Sequence, residues 1–234
     1  MRRQPSLSFP TAPGNSDMKK DGQDQQQLHW DRAYTAEMDF FGDEPSTAAR
    51  QAADRFLEEG ANLILELGAG QGRDTLFFAG LGFRVYALDY SESGLWGIID
   101  KGVKTDLGEM ITPVFHDLRN PLPFTHNSID GCFSHMLYCM ALSRAELEFL
   151  NGEILRVLKP GGLNIYTVRH KGDAHYGKGV HLGEDLYEVN GFVVHYFDRA
   201  MVEQLAEGFE LLSIDEFEEG SLPRKLFGVT LRKK

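Results

Sequence analysis

The chain has only two cysteines, Cys132 and Cys139, in 234 residues. A disulfide framework needs more of them in a shorter chain, and a zinc site needs a second pair or a nearby histidine. Both therefore read as buried, reduced thiols, and the expected compartment is the cytoplasm. No stretch approaches the roughly 18 apolar residues of a membrane span. No apolar run follows Met1-Arg2-Arg3, so no signal peptide is expected. Long Lys/Arg runs are missing too; the longest basic feature is Arg232-Lys233-Lys234. With a formal net charge of -11 the chain repels phosphate backbones. Nucleic acid and membrane are thus not expected partners. There is no internal repeat.

What is present is apolar material for one sizeable core, 42% of the residues. Residues 1–26 are rich in Pro, Gly, Ser, Gln, Asp and Lys and read as a disordered tail. A single domain is expected over 27–234. Within it, 169–197 reads as a substrate loop and hairpin insertion.

Hydrophobic patterning alternates short apolar runs with helical stretches. Trp30, Tyr34 and Met38 recur at helical spacing, and a helix from Ser46 ends at Gly60. Strands are expected at 63–67, 83–89, 111–115, 129–134 and 163–168. Helices are expected at 72–80, 91–104 and 143–158, the last opened by a Ser143…Glu146 capping box. Asn190-Gly191 marks a hairpin. A helix at 199–207 precedes strands near 209–217 and 225–232. Their connection is too short for a crossover helix, so the last strand should run antiparallel. The expected fold is α/β: a Rossmann-like, doubly wound, seven-stranded and mostly parallel sheet with helices on both faces.

The sharpest motif is Glu66-Leu67-Gly68-Ala69-Gly70-Gln71-Gly72, between a strand and a helix. Glycines permit a tight turn and let a ligand approach the backbone. The dinucleotide fingerprint Gly-x-Gly-x-x-Gly fails, because Arg73 stands at its third glycine. A P-loop fails for want of Lys-Ser/Thr. Taken alone, the motif is equally a structural turn. Two acids add to it. Asp89 ends the second strand roughly 20 residues after the turn, where a carboxylate accepts from ribose hydroxyls. Asp117 follows the third strand, where one accepts from an adenine amino group. The three together make a nucleoside site with no groups for phosphate.

On these residues the chain resembles the class I S-adenosylmethionine-dependent methyltransferases. The resemblance runs over about 28–234. It is carried by ELGAGQGRDT at 66–75, VYALDYS at 85–91, HDLRNPLPF at 116–124, SIDGCFSH at 128–135 and LKPGG at 158–162. WDRAY at 30–34, FFGDEPS at 40–46 and NGFVVHYF at 190–197 are similar to the small-molecule, tellurite-resistance and thiopurine methyltransferase-like branch. The resemblance implies S-adenosylmethionine as cofactor. It places Glu66, Gly68, Ala69 and Gly70 at its methionine part. Asp89 and Ser91 fall at the ribose, Tyr90 against the adenine, and Asp117 and Leu118 at the adenine edge. His135 falls near sulfonium and acceptor. Asp74 is either a ligand contact or a first-turn acid. Trp30 and Tyr34, with Phe40 and Phe41, either close a lid or simply pack the first helices.

The acceptor side is expected in the loop 169–188, which leaves a strand's carboxyl end. His170, His175 and Tyr176, with His135, are the catalytic candidates, one histidine being suited to general-base work. The spacing of the loop histidines falls short of a metal pattern, so no metal is expected. The Asn/Asp-Pro-Pro-Tyr device for a flipped base is missing after the fourth strand. The expected activity is methyl transfer to an O, N or S atom of a small molecule, by a monomer or homodimer. A non-catalytic nucleoside-binding module and a protein or RNA methyltransferase are the rivals.

Overall fold

The computed structural model describes residues 20–220 and 224–234. Seven strands form the main sheet: β1 (Leu63–Leu67), β2 (Arg84–Asp89), β3 (Ile111–Phe115), β4 (Ile129–His135), β5 (Leu158–Arg169), β9 (Phe209–Glu219) and β10 (Arg224–Lys233). Their spatial order is β3-β2-β1-β4-β5-β10-β9. The order reverses between β1 and β4, and this is where open α/β sheets bind ligands, at the carboxyl ends. The last strand, β10, is antiparallel to both neighbours, as its short approach requires.

Helices cover both faces, so the central strands are mainly apolar, with polar residues such as Glu66 and His135 near their carboxyl ends. On one face α2 (Thr47–Glu58), α3 (Arg73–Gly80) and α4 (Glu92–Lys104) bury Ala49, Ala53, Phe56, Phe78, Leu95 and Ile98 against Ile64, Val85, Ala87 and Phe133. On the other, α5 (Arg144–Val157) and α6 (Arg199–Leu205) pack Leu147, Leu150, Ile154 and Val202 on Leu65, Cys132, Tyr166 and Val229. The Ser143/Glu146 capping box forms as expected. Lys159-Pro160-Gly161-Gly162 ends the helix but lies within β5, which therefore starts earlier than the apolar run suggests.

Two regions differ from expectation. Residues 1–19 of the expected tail lie outside the described residues. Lys20–Gln26, however, open α1 (Lys20–Ala36). The cause is tertiary: Gln26 Nε2 donates to Gly191 O and Gln27 Nε2 to Tyr90 O, each at 2.7 Å. Second, the expected loop 169–188 contains β6 (Val180–Gly183), which joins β7 (Leu186–Val189) and β8 (Phe192–His195) in a small antiparallel sheet. β6 is largely exposed and only four residues long, too short a run to read as a strand. The small sheet docks on the main domain through β8. His195 N donates to Cys139 O at 2.9 Å, and its Nδ1 lies 2.8 Å from Leu142 O. Among the described residues no helix is long and apolar enough to cross a membrane.

Candidate active site

The turn after β1 is a cradle of backbone. Gly68 and Gly70 have φ of +70° and +53°, the left-handed region that a side chain makes costly. Gly68 N and Ala69 N donate to Leu88 O, and Gly70 N donates to Asp89 Oδ2 at 2.8 Å. Asp89 Oδ1 accepts from Ser91 N at 2.8 Å. Burial raises the Asp89 carboxyl to about 6, against the lowering effect of these backbone bonds. Space above the glycines is tight. A Cβ on Gly68 would stand 2.9 Å from the Leu137 side chain, and one on Gly70 2.9 Å from Tyr34 Oη.

An open cleft begins at this turn. Asp89, Tyr90, Asp117 and Leu118 line it, together with Leu137, Met140 and Leu142. Sequence reasoning missed three of its groups. Arg119 grips Asp117 in a fork, Nε at 2.8 Å to Oδ1 and Nη2 at 2.6 Å to Oδ2, while its own N–H donates to Oδ1. His116 lies in the wall with its pKa lowered by burial. Gln26 reaches in from α1. Of these, Arg119 and His116 flank Asp117 in the quoted HDLRN motif, so the signal was there; Gln26 gave none.

Helix α1 lies across the cleft. Asp31 Oδ1 accepts from Ser91 Oγ at 2.6 Å and from Ser93 Oγ at 2.9 Å. Ser91 therefore caps α4, accepting from Gly94 N, and ties α1 to it. Gln71 Nε2 donates to Tyr34 O and Glu37 O, and its Oε1 accepts from Phe40 N. Trp30 packs on Tyr34 and Phe192, with ring centroids 5.4 and 5.0 Å apart. The aromatic residues at the chain's start thus pack the helix and also link it to the small sheet.

Glu66 is buried beside the turn and accepts from Thr75 Oγ1. Burial, then the nearby Asp74 charge, raises its pKa well above the carboxylate norm. Asp74 points away from the cleft. Ser46 N and Ser46 Oγ donate to its two oxygens at 2.7 and 2.8 Å, so it holds the start of α2.

His135 ends β4. Its Nε2 lies 2.9 Å from Glu219 Oε2 and its Nδ1 3.0 Å from Thr167 Oγ1. The other catalytic candidates do not join it. His170 stacks on Phe227 and accepts from Gly172 N. His175 Nδ1 lies 3.0 Å from Arg169 Nη2, beside the buried Arg169–Asp173 ion pair. Tyr176 Oη donates to Asp185 at 2.7 Å. These three hold the loop's own shape, because its Asp173 and Asp185 are acceptors within reach.

A doubly wound seven-stranded sheet with an antiparallel last strand, and a cleft at its switch point, are features of the Rossmann-like methyltransferase fold. Residues 64–162 match the family described as methyltransferase domain. A curated relative, phosphoethanolamine N-methyltransferase 1 of Triticum aestivum, is 40% identical over 102 residues, 42% of this chain and 20% of that protein. Demethylmenaquinone methyltransferase of Clavibacter sepedonicus is 35% identical over 100 residues, 42% of this chain and 38% of that one. The chain thus matches well under half the length of either relative. In three dimensions it is similar to the 1,6-didemethyltoxoflavin-N1-methyltransferase of Burkholderia thailandensis, solved with S-adenosylhomocysteine. The TM-score is 0.72 at 20% identity, covering 97% of this chain and 94% of that one.

Proposed function

We propose that the protein transfers a methyl group from S-adenosylmethionine to an O, N or S atom of a small-molecule acceptor. The observation that carries this is Asp89: a buried carboxylate at the end of β2, bonded to the glycine turn and lining the cleft. The residues fit the donor. Asp89 accepts from ribose hydroxyls, and Tyr90 and Leu118 face the adenine. The glycine cradle and Glu66 serve the methionine part, where a cationic group meets carboxylate. Asp117 is largely filled by Arg119, so it contributes less to reading the adenine edge than its position suggested.

When bound, the donor supplies a methyl already activated by its sulfonium. The chain's work is alignment and exclusion of water. Gln26 of α1 lines the cleft, the Trp30–Phe192 contact joins that helix to β8, and Leu137 narrows the cleft at Gly68. A small acceptor is supported by the acidic charge, which disfavours a nucleic-acid acceptor. Affinity to the tellurite-resistance and thiopurine-like branch stays a proposal resting on the 30–34, 40–46 and 190–197 segments, and so does action as a monomer or homodimer in the cytoplasm. The test is isotope transfer from methyl-labelled donor to a panel of thiols, amines, acids and phenols. Labelled product supports the enzyme. Tight donor binding with no product from any class contradicts it in favour of a nucleoside-binding module.

A further inference from the structure

We propose that Glu219 orients the methyl acceptor, and that the acceptor is a small amine carrying at least one N–H. This rests on the methyl-transfer reading above. β9 is the outermost strand, separated from β4 by β10 and β5. Its last residue nevertheless reaches His135 at 2.9 Å. The end of β9 therefore curls over the sheet's carboxyl edge. Gly228 on β10 permits this, since the Phe217 ring lies 3.3 Å from where its Cβ would be.

The hydrogen bonds assign the roles. Thr167 Oγ1 accepts from Met136 N at 2.9 Å, so its hydroxyl hydrogen is free to point at His135 Nδ1. The Nε2 hydrogen of His135 then donates to Glu219. In this arrangement both ring nitrogens are taken, and His135 positions rather than abstracts. Of about four acceptor positions on the Glu219 carboxylate, His135 fills one. Burial works against ionisation, but the His135 bond and the charges of Arg73 and Arg224 hold this carboxyl below its usual range.

Glu219 and His135 stand at the same carboxyl edge of the sheet as the cleft, beside the residues that line it. Leu137, two residues past His135, lies on Gly68. Arg73, at the start of α3, is within electrostatic reach of both Glu219 and Glu66. Arg73 itself is engaged, donating to Phe41 O and lying 3.5 Å from Asp74. In transfer to an amine, the nitrogen lone pair forms the new N–C bond while the S–C bond breaks, its pair going to sulfur. Positive charge moves from sulfur to nitrogen. A carboxylate bonded to that N–H meets the charge as it arrives. The ammonium proton leaves with the product into solvent, and Glu219 is unchanged. An anionic acceptor is repelled at the same point.

The experiment uses methyl-labelled S-adenosylmethionine with amines, thiols, carboxylates and phenols, on the wild-type chain, Glu219→Gln and Glu219→Asp. Expected is label on amine nitrogen, with kcat/KM about 100-fold lower in Glu219→Gln. Glu219→Asp recovers part of this, and S-adenosylhomocysteine binds both variants as it binds wild type. Label only on thiol, carboxylate or phenol, or unchanged kcat/KM in Glu219→Gln, overturns the assignment alone. Failure of the wild-type chain to bind donor or product overturns the methyl-transfer reading and this assignment together.

Discussion

Gly70 N donates to Asp89 Oδ2 at 2.8 Å, so the acid that closes β2 is tied to the turn that closes β1. One carboxylate thereby shapes the cradle and lines the cleft.

Asp89→Ala removes both functions. A buried N–H left without its acceptor costs about 1–3 kcal/mol of stability. Donor affinity should fall about 100-fold or more, as two hydrogen bonds to a charged group are lost. Asp117→Asn should cost about tenfold at most, because Arg119 already fills that carboxylate. Titration calorimetry of the two variants gives the ranking, and equal losses would contradict it.

The same residue sets opposite pH trends for stability and binding. Its carboxyl is raised to about 6 by burial, above its unfolded value of 3.8. The folded protein therefore holds the proton more tightly, and this group adds stability as pH falls from 6 towards 4. Ribose hydroxyls donate to the ionised form. Donor affinity should thus decline roughly tenfold per pH unit below about 6. Calorimetric affinities between pH 5 and 8 check this; a flat profile is the contrary result.

Asp74 belongs to stability. Asp74→Ala leaves Ser46 N and Oγ without their acceptor at the start of α2. A loss of about 2–4 kcal/mol is expected by chemical denaturation, with donor affinity kept. Ser46→Ala and the double variant should show strong coupling.

Trp30 packs on Tyr34 within α1 and joins that helix to Phe192 of β8. Trp30→Ala should release α1 locally rather than unfold the domain. Amide exchange over 26–36 and 192–195 rises, while β1, β4 and β5 stay protected. Uniform loss of protection would show that α1 is part of the core.

The sheet was legible in the sequence because strands covered on both faces are apolar runs and the helices between them carry caps such as Ser91 and Ser143. Asp89, Tyr90 and Leu118 were found because topology brings successive strand ends together. The beginning of α1 was not, since Gln26 and Gln27 look like a polar tail until their distant partners are seen. Asp74 was ambiguous because a first-turn acid looks the same whether it meets a ligand or Ser46. The loop histidines misled for a related reason: position put them at a carboxyl edge, but Arg169 and Asp173 hold His175 there. Glu219 stands in an acidic run that reads as solvated surface. Only the curl of β9 over Gly228 brings it to His135.

The measurement that tests the central claim most directly is calorimetric titration of the intact chain with S-adenosylhomocysteine, with NAD as the comparison. Micromolar binding of S-adenosylhomocysteine, abolished in Asp89→Ala, with none of NAD, is the predicted result. Binding of NAD without S-adenosylhomocysteine would contradict the account.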